Sequence, residues 1–271
     1  MRLSELGEFG LLGELERRGL VRGIADDAAQ LGDGVVVTQD ALVEGVHFES
    51  EMVSRRDLGF RAAAVNLSDL AASGATPESL IVTLALPGET EVEDVVELYE
   101  GMAETGVPVV GGDTTAAPQL VLSVTAIGRS DRFPGRGGAC PGDRIVVTGP
   151  LGAAGAAFRE GRLLRPPLRL EEGRLLAAHA HALLDISDGL AQDAAHVAER
   201  SGCRIVIDLE CVPLAPGATV DDLGFGEDYE LLAAVADSAG FCEIGLCEEG
   251  EGVEIRLDGR PVELGGYSHF G

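Results

Sequence analysis

Residues 61–77, Arg-Ala-Ala-Ala-Val-Asn-Leu-Ser-Asp-Leu-Ala-Ala-Ser-Gly-Ala-Thr-Pro, constrain the fold more than any other stretch of the chain. They read as the last turns of a helix whose faces ask for different neighbours. Phe60, Ala64, Leu67 and Ala71 recur at helical spacing and suit a core, while Asn66, Asp69 and Ser73 form a polar stripe at i, i+3 and i+7. Alanines flank that stripe, so backbone or a ligand can approach it closely. Gly74 supplies a C-terminal cap and Pro77 prevents continuation.

An aspartate on a helix is usually solvated, but Asp69 has company. Asp26 and Asp27, Asp40 after Val35–Gln39, Asp113 in Gly-Gly-Asp-Thr, and Asp185 and Asp188 in Asp-Ile-Ser-Asp-Gly-Leu all follow apolar runs at turn-like positions. Carboxylates from several strand ends, converging with one on a helix, suit a hard oxygen-seeking cation. Magnesium with phosphate is the reading that fits.

The 46 acidic residues outweigh 20 basic ones, giving a net charge of −26. Such a chain repels nucleic acid and anionic membrane, so neither is an expected partner, and a nucleotide has to be received locally through metal ions. All the basic residues are arginine. The absence of lysine excludes a P-loop, Schiff-base chemistry and a kinase-type strand lysine. The acidic, lysine-free balance suits molar salt, where the Debye length falls to about 3 Å, and marks a halophilic source. Five cysteines without a C-x-x-C pair indicate neither a disulfide framework nor zinc. An acidic amphipathic opening and no apolar run of about 18 residues predict a cytoplasmic protein.

At 271 residues the chain has room for one large domain or two moderate ones. Leu3, Leu6, Phe9, Leu12 and Leu15 predict a short helix or a glycine-loosened lid. A strand over 35–39 is expected to stop at Asp40, with 42–48 irregular. Further strands are predicted over 79–86, 107–110 and 120–128, the one over 107–110 ending at Gly111-Gly112-Asp113, and Thr90 with Glu93 predicts a capping box for a helix reaching Glu104. The Gly/Pro-rich loop 132–142, holding Arg136, is the candidate boundary between domains 1–138 and 139–271. Beyond it come a strand over 144–148, a glycine-rich strand-to-helix turn at 149–155 and a helix over 171–184. A second helix ends at Gly202, followed by strands near 204–209, 231–235, 241–247 and 253–257, with Asp258-Gly259 as a hairpin turn. Glu227, Asp228 and Glu230, taken singly, read as a solvated acidic edge.

In this order the motifs resemble the thiamine-monophosphate kinases of the AIR-synthetase-like superfamily. The resemblance runs from Gly7-Glu8-Phe9 to Gly266-Tyr267-Ser268-His269-Phe270 and so spans nearly the whole chain. Gly111–Thr114 and Asp185–Leu190 belong broadly to the superfamily. Leu42–Phe48, Asn66–Ala71 and Gly226–Leu231 point to the kinases.

The resemblance implies a two-domain α/β (α+β) fold, with an N-terminal mixed sheet forming a homodimer interface and a C-terminal α/β domain. It implies ATP-dependent phosphorylation of thiamine monophosphate to thiamine diphosphate, with Mg2+ as cofactor. By motif position Asp27, Thr38, Asp40, Asp69, Asp113, Asp185 and Asp188 hold magnesium, and Asp69, Asp113 and Asp188 are the catalytic carboxylates. Gly112, Asp113, Arg136 and Ser187 contact ATP, while His47, Glu227 and Tyr267 meet the thiamine phosphate.

Three departures stand out. Thr38-Gln39-Asp40 replaces Thr-Thr-Asp, which removes one metal contact or hands it to water. Leu264 stands near a position where the family often has tryptophan, leaving Tyr267 for stacking. The segment after Glu160 is short. Two other readings carry the same aspartates: another ATP-dependent AIR-synthetase-like enzyme, and a non-catalytic nucleotide- or metal-binding dimer.

Overall fold

The computed structural model describes residues 2–23 and 26–267. Ser268, His269 and Phe270 of the closing motif lie outside them. The first half comprises α1 (Leu3–Arg17), β1 (Ala29–Gln30), β2 (Val35–Val43), α2 (Arg55–Ala72), β3 (Thr76–Leu86), α3 (Val92–Ala103), β4 (Val109–Ala116) and β5 (Val121–Arg129). The second half continues with β6 (Arg144–Val147), α4 (Ala153–Arg159), α5 (Leu170–Ala177), β7 (Ala182–Asp185), α6 (Leu190–Ser201) and β8 (Arg204–Asp208). It ends with β9 (Leu231–Val235), β10 (Cys242–Glu248), β11 (Gly252–Leu257) and β12 (Arg260–Val262).

Helix α2 is the element both halves share. Ser54 caps it by accepting the Asp57 backbone N–H, a contact worth about 1 kcal/mol, and 13 of its 18 residues are buried, so it has almost no solvent face. Leu58, Leu67 and Leu70 enter the first core, while Ala71 and Ala72 join Leu176, Leu183 and Leu231 in another. Small residues let its neighbours reach backbone contact. A Cβ at Gly59 would lie 1.9 Å from the Leu98 carbonyl oxygen, and one at Gly101 equally close to that of Arg56, so α3 lies directly on α2. Gly173 brings α5 down on Ala71 in the same way.

The first sheet has strand order β1-β2-β5-β3-β4, with β3 and β4 parallel and the other pairs antiparallel. Its inner face buries Val36, Leu42, Leu80, Val82, Leu84, Leu122 and Val124. Successive residues point to opposite faces, so Val37, Ile127 and Ile81 lie on the other face, which nothing among the described residues fully covers. The second sheet runs β12-β11-β8-β10-β6-β9-β7 and packs against α6 through Leu190, Ala194 and Val197.

Several sequence expectations are corrected. Strand β2 continues to Val43, because Leu42 still pairs with Leu122, so Asp40 lies within the strand. Strand β4 likewise runs through Gly111-Gly112-Asp113-Thr114, paired with Ile81–Leu84. No capping box forms at Thr90: the N-cap of α3 is Glu91, without a side-chain bond. The helix expected over 171–184 stops at Ala177, and Ala182–Asp185 is a fully buried strand against β9. A short apolar run cannot distinguish those outcomes by periodicity. Asp228 and Glu230 are buried and bonded. Helix α1 forms but is broken at Gly7, where φ is 72°. Among the described residues no helix is long and apolar enough to cross a membrane.

Candidate active site

A cavity of about 860 Å³ opens where β2, α2, the 185–190 turn and the 226–230 loop meet. Asp27, Thr38, Asp40, His47, Asp69, Arg136, Asp185, Ser187, Asp188, Glu227 and Tyr267 line it. Gly112 and Asp113 do not. Asp113 pairs in register with Thr83 on edge strand β4 and is exposed, so within one chain it lies outside the cavity.

The carboxylate wall is assembled from distant segments. Oxygens of Asp27, Asp69 and Asp185 lie within 4.8 Å of one another. Thr38 Oγ1 donates to Asp69 Oδ2 at 2.5 Å and Ser68 Oγ donates to Asp185 Oδ2 at 2.5 Å. Arg136 Nε donates to Asp27 Oδ1 at 2.9 Å, and its backbone N–H donates to Asp26 Oδ1 at 2.7 Å. Buried Asn66 accepts the Asp40 backbone N–H at 3.0 Å and donates to the Ala62 carbonyl, which ties strand to helix beside the cluster. Gln39 also lines the cavity, with its amide donating to Ser123 on the next strand at 3.0 Å.

Crowding these carboxylates has an electrostatic cost. Burial, reinforced by Asp40, Asp185 and Asp27, pushes the Asp69 carboxyl well above its usual range. Burial and the Asp27 charge push Asp185 up to about 8. Burial also raises Asp27, although Arg136 offsets part of it. Burial opposes the charge of Arg136, yet Asp27 outweighs it and holds its pKa above the ordinary value. Like charges so close require either protons or a cation. Three hard carboxylate oxygens with a threonine hydroxyl among them suit magnesium, so the donor set fits the cofactor the sequence implied.

The 185–190 turn has an organiser that the sequence did not single out. Asp193 Oδ2 accepts the backbone N–H groups of Ser187, Asp188 and Gly189 at 3.0, 3.0 and 3.1 Å. Its signal was available: an Asp in the first turn of a helix after a glycine turn suits exposed amides. The 226–230 loop then runs back along the turn, with Glu227 N–H donating to the Ser187 carbonyl and Tyr229 N–H to that of Ile186. A Cβ at Gly226 would lie 2.2 Å from the Ser187 oxygen, and both Glu227 and Tyr229 hold positive φ, at 59° and 52°. Such strain clusters at functional loops. The Tyr267 N–H donates to the Asp188 carbonyl, which brings that aromatic ring to the cavity.

His47 Nδ1 accepts the Val43 N–H at 3.1 Å. That assigns the proton of the neutral ring to Nε2, the nitrogen able to donate to an anion. The glycine-rich turn at 149–155 is a strand-to-helix connection: Asp228 accepts the N–H groups of Gly152 and Ala154, occupying the start of α4 with a protein carboxylate. Cys140, Asp143 and His181 also cluster, but Asp143 is there bonded to the Cys140 N–H and to His181, bracing the turn before β6.

Comparison with known proteins places the same architecture in a defined group. Residues 25–130 match the family model "AIR synthase related protein, N-terminal domain" and residues 140–244 match its C-terminal counterpart. The thiamine-monophosphate kinase of Aquifex aeolicus is 35% identical over 100% of both chains. The solved structure of AaThiL complexed with AMPPCP and TMP superposes with a TM-score of 0.89 at 34% identity, covering 99% of each chain. The HypE-HypF complex structure, at 21% identity and a TM-score of 0.78 over 94% of this chain and 99% of that one, shares the fold alone.

Proposed function

Since the chain belongs to the AIR synthase related family, and within it to the thiamine-monophosphate kinases, we propose that it transfers the γ-phosphoryl group of ATP to thiamine monophosphate, giving thiamine diphosphate and ADP. The observation that carries this reading is the convergence of Asp27, Asp69 and Asp185 from three segments on one cavity that also holds Arg136, His47 and Glu227.

The acceptor is itself a phosphate, with a second pKa of about 6, so at neutral pH its oxygen is already an anionic nucleophile and needs no general base. That oxygen forms a bond to the γ-phosphorus as the bond to ADP breaks. The barrier lies in bringing two polyanions together. Magnesium held by Asp27, Thr38, Asp40, Asp69, Asp185 and Asp188 would supply charge neutralisation across both. Arg136 and Ser187 face the nucleotide. His47 donates from Nε2 to the acceptor phosphate, Glu227 faces the thiazolium cation, and Tyr267 stands in for the missing tryptophan.

Asp113 and Gly112 enter this scheme through a homodimer. Asp113 shares a register row with Ala41, Ser123 and Thr83 on the uncovered sheet face. A second copy packed on that face is the arrangement that would bring Asp113 toward a nucleotide. We also read 1–138 and 139–271 as the two domains, the cytoplasm as the compartment, and the charge of −26 as adaptation to molar salt.

The test offers magnesium-ATP with thiamine monophosphate or, separately, formylglycinamidine ribonucleotide. ADP formation with the first alone supports the kinase. Turnover of the second supports a different AIR-synthetase-like enzyme, and turnover of neither supports the non-catalytic binder.

A further inference from the structure

Arg61 lies on α2, eight residues or roughly 12 Å along the helix from Asp69. Its side chain is 2% exposed. Nη2 lies 2.6 Å from Glu227 Oε1, Nη1 donates to the Leu164 carbonyl at 2.9 Å, and the guanidinium carbon is 5.7 Å from the centre of the Tyr229 ring. Neither Nε nor Nη2 has an aligned hydrogen-bond acceptor among the described residues, so the Glu227 contact is an ion pair made by proximity. Glu227 and Tyr229 line the cavity, whereas Arg61 stands behind them.

A buried guanidinium persists where a carboxylate neutralises it, and here that carboxylate is one the cavity itself uses. Two of the residues Arg61 touches, Glu227 and Tyr229, hold left-handed backbone, at φ 59° and 52°. Arg61 therefore reaches from the N-terminal helix that carries Asp69 to the C-terminal loop that faces the acceptor.

We infer that Arg61 is a positioning residue for acceptor specificity: it holds one oxygen of Glu227 and leaves the other for a cationic ring on the acceptor. This rests on the kinase reading above. Acceptor recognition then depends on the contact between Arg61 and Glu227, while nucleotide binding, built from Arg136, Ser187 and the aspartates, makes no direct use of it.

The test compares wild type, Arg61→Met and Arg61→Lys, with KM measured separately for thiamine monophosphate and for magnesium-ATP. Arg61→Met is expected to raise the acceptor KM at least about tenfold with the ATP KM within about twofold. Arg61→Lys, which keeps the charge but not the planar fork, is expected to fall between. Equal losses in both KM values, or a lowered melting temperature with unchanged KM values, would overturn the inference by making Arg61 merely structural. If Arg61→Met does not fold, Arg61→Lys alone decides, since an unchanged acceptor KM in that variant also overturns it. A wild-type enzyme inactive on thiamine monophosphate refutes the kinase reading, which is a separate result.

Discussion

Ser68 Oγ donates to Asp185 Oδ2 at 2.5 Å, joining residues 117 positions apart. Ser68 precedes Asp69 on α2 and Asp185 ends β7, so this bond sets the spacing of two proposed metal ligands from different halves of the chain. Asp185 is buried, and Ser68→Ala leaves its carboxylate short of a donor. The expected cost is about 1–3 kcal/mol in urea unfolding, with a several-fold rise in the magnesium concentration for half-maximal turnover. Unchanged magnesium dependence would make the bond purely structural.

Asp69 accepts from Thr38 and lies within 4.8 Å of both Asp27 and Asp185. Asp69→Asn keeps the shape and removes the charge. Turnover should fall by at least about a hundredfold while circular dichroism and melting remain native-like. Activity within a few-fold of wild type would remove Asp69 from the metal site.

The raised carboxyls predict a pH-dependent response to metal. With folded-state pKa values above the unfolded ones, the metal-free protein has its full contribution from these groups below the unfolded carboxylate range. It loses that contribution as pH rises, for Asp185 through about 8. Magnesium bound there would replace the protons, so the rise in Tm on adding it should be larger at pH 8.5 than at pH 6, by about 5 °C or more. Calorimetry in buffers of different ionisation enthalpy should show proton release. An equal Tm rise at both pH values contradicts the assignment.

The uncovered face of the first sheet, carrying Val37, Ile81 and Ile127 outward, predicts a homodimer. Light scattering in molar salt should give twice the 28.1 kDa protomer mass. Ile127→Asp should shift the protein toward monomer. A wild-type monomer at micromolar concentration would leave Asp113 outside the reaction.

What the sequence made legible followed from local chemistry. The helix ending at Gly74, the Asp185–Leu190 turn and the Asp258-Gly259 hairpin each carry their own punctuation, and the structure has all three. Strand ends were less legible, because Asp40 and Asp113 look like stops, whereas pairing with β5 and β3 carries the strands past them. The least legible features were buried charges. Arg61, Asp228 and Glu230 look like solvated residues in an acidic chain, and only the fold reveals the long-range partners that hold them. Asp113 lies apart because pairing with β3 carries it along edge strand β4, outside the cavity.

Phosphorus NMR of the purified protein with ATP, magnesium and thiamine monophosphate follows each phosphate separately and so reads the phosphoryl transfer itself. The γ-phosphate signal of ATP and the monophosphate signal are expected to decay together. Thiamine diphosphate should appear as two coupled resonances, one-to-one with ADP, and none of this should occur when magnesium is chelated. Release of inorganic phosphate with the monophosphate untouched, or formation of AMP in place of ADP, would contradict it.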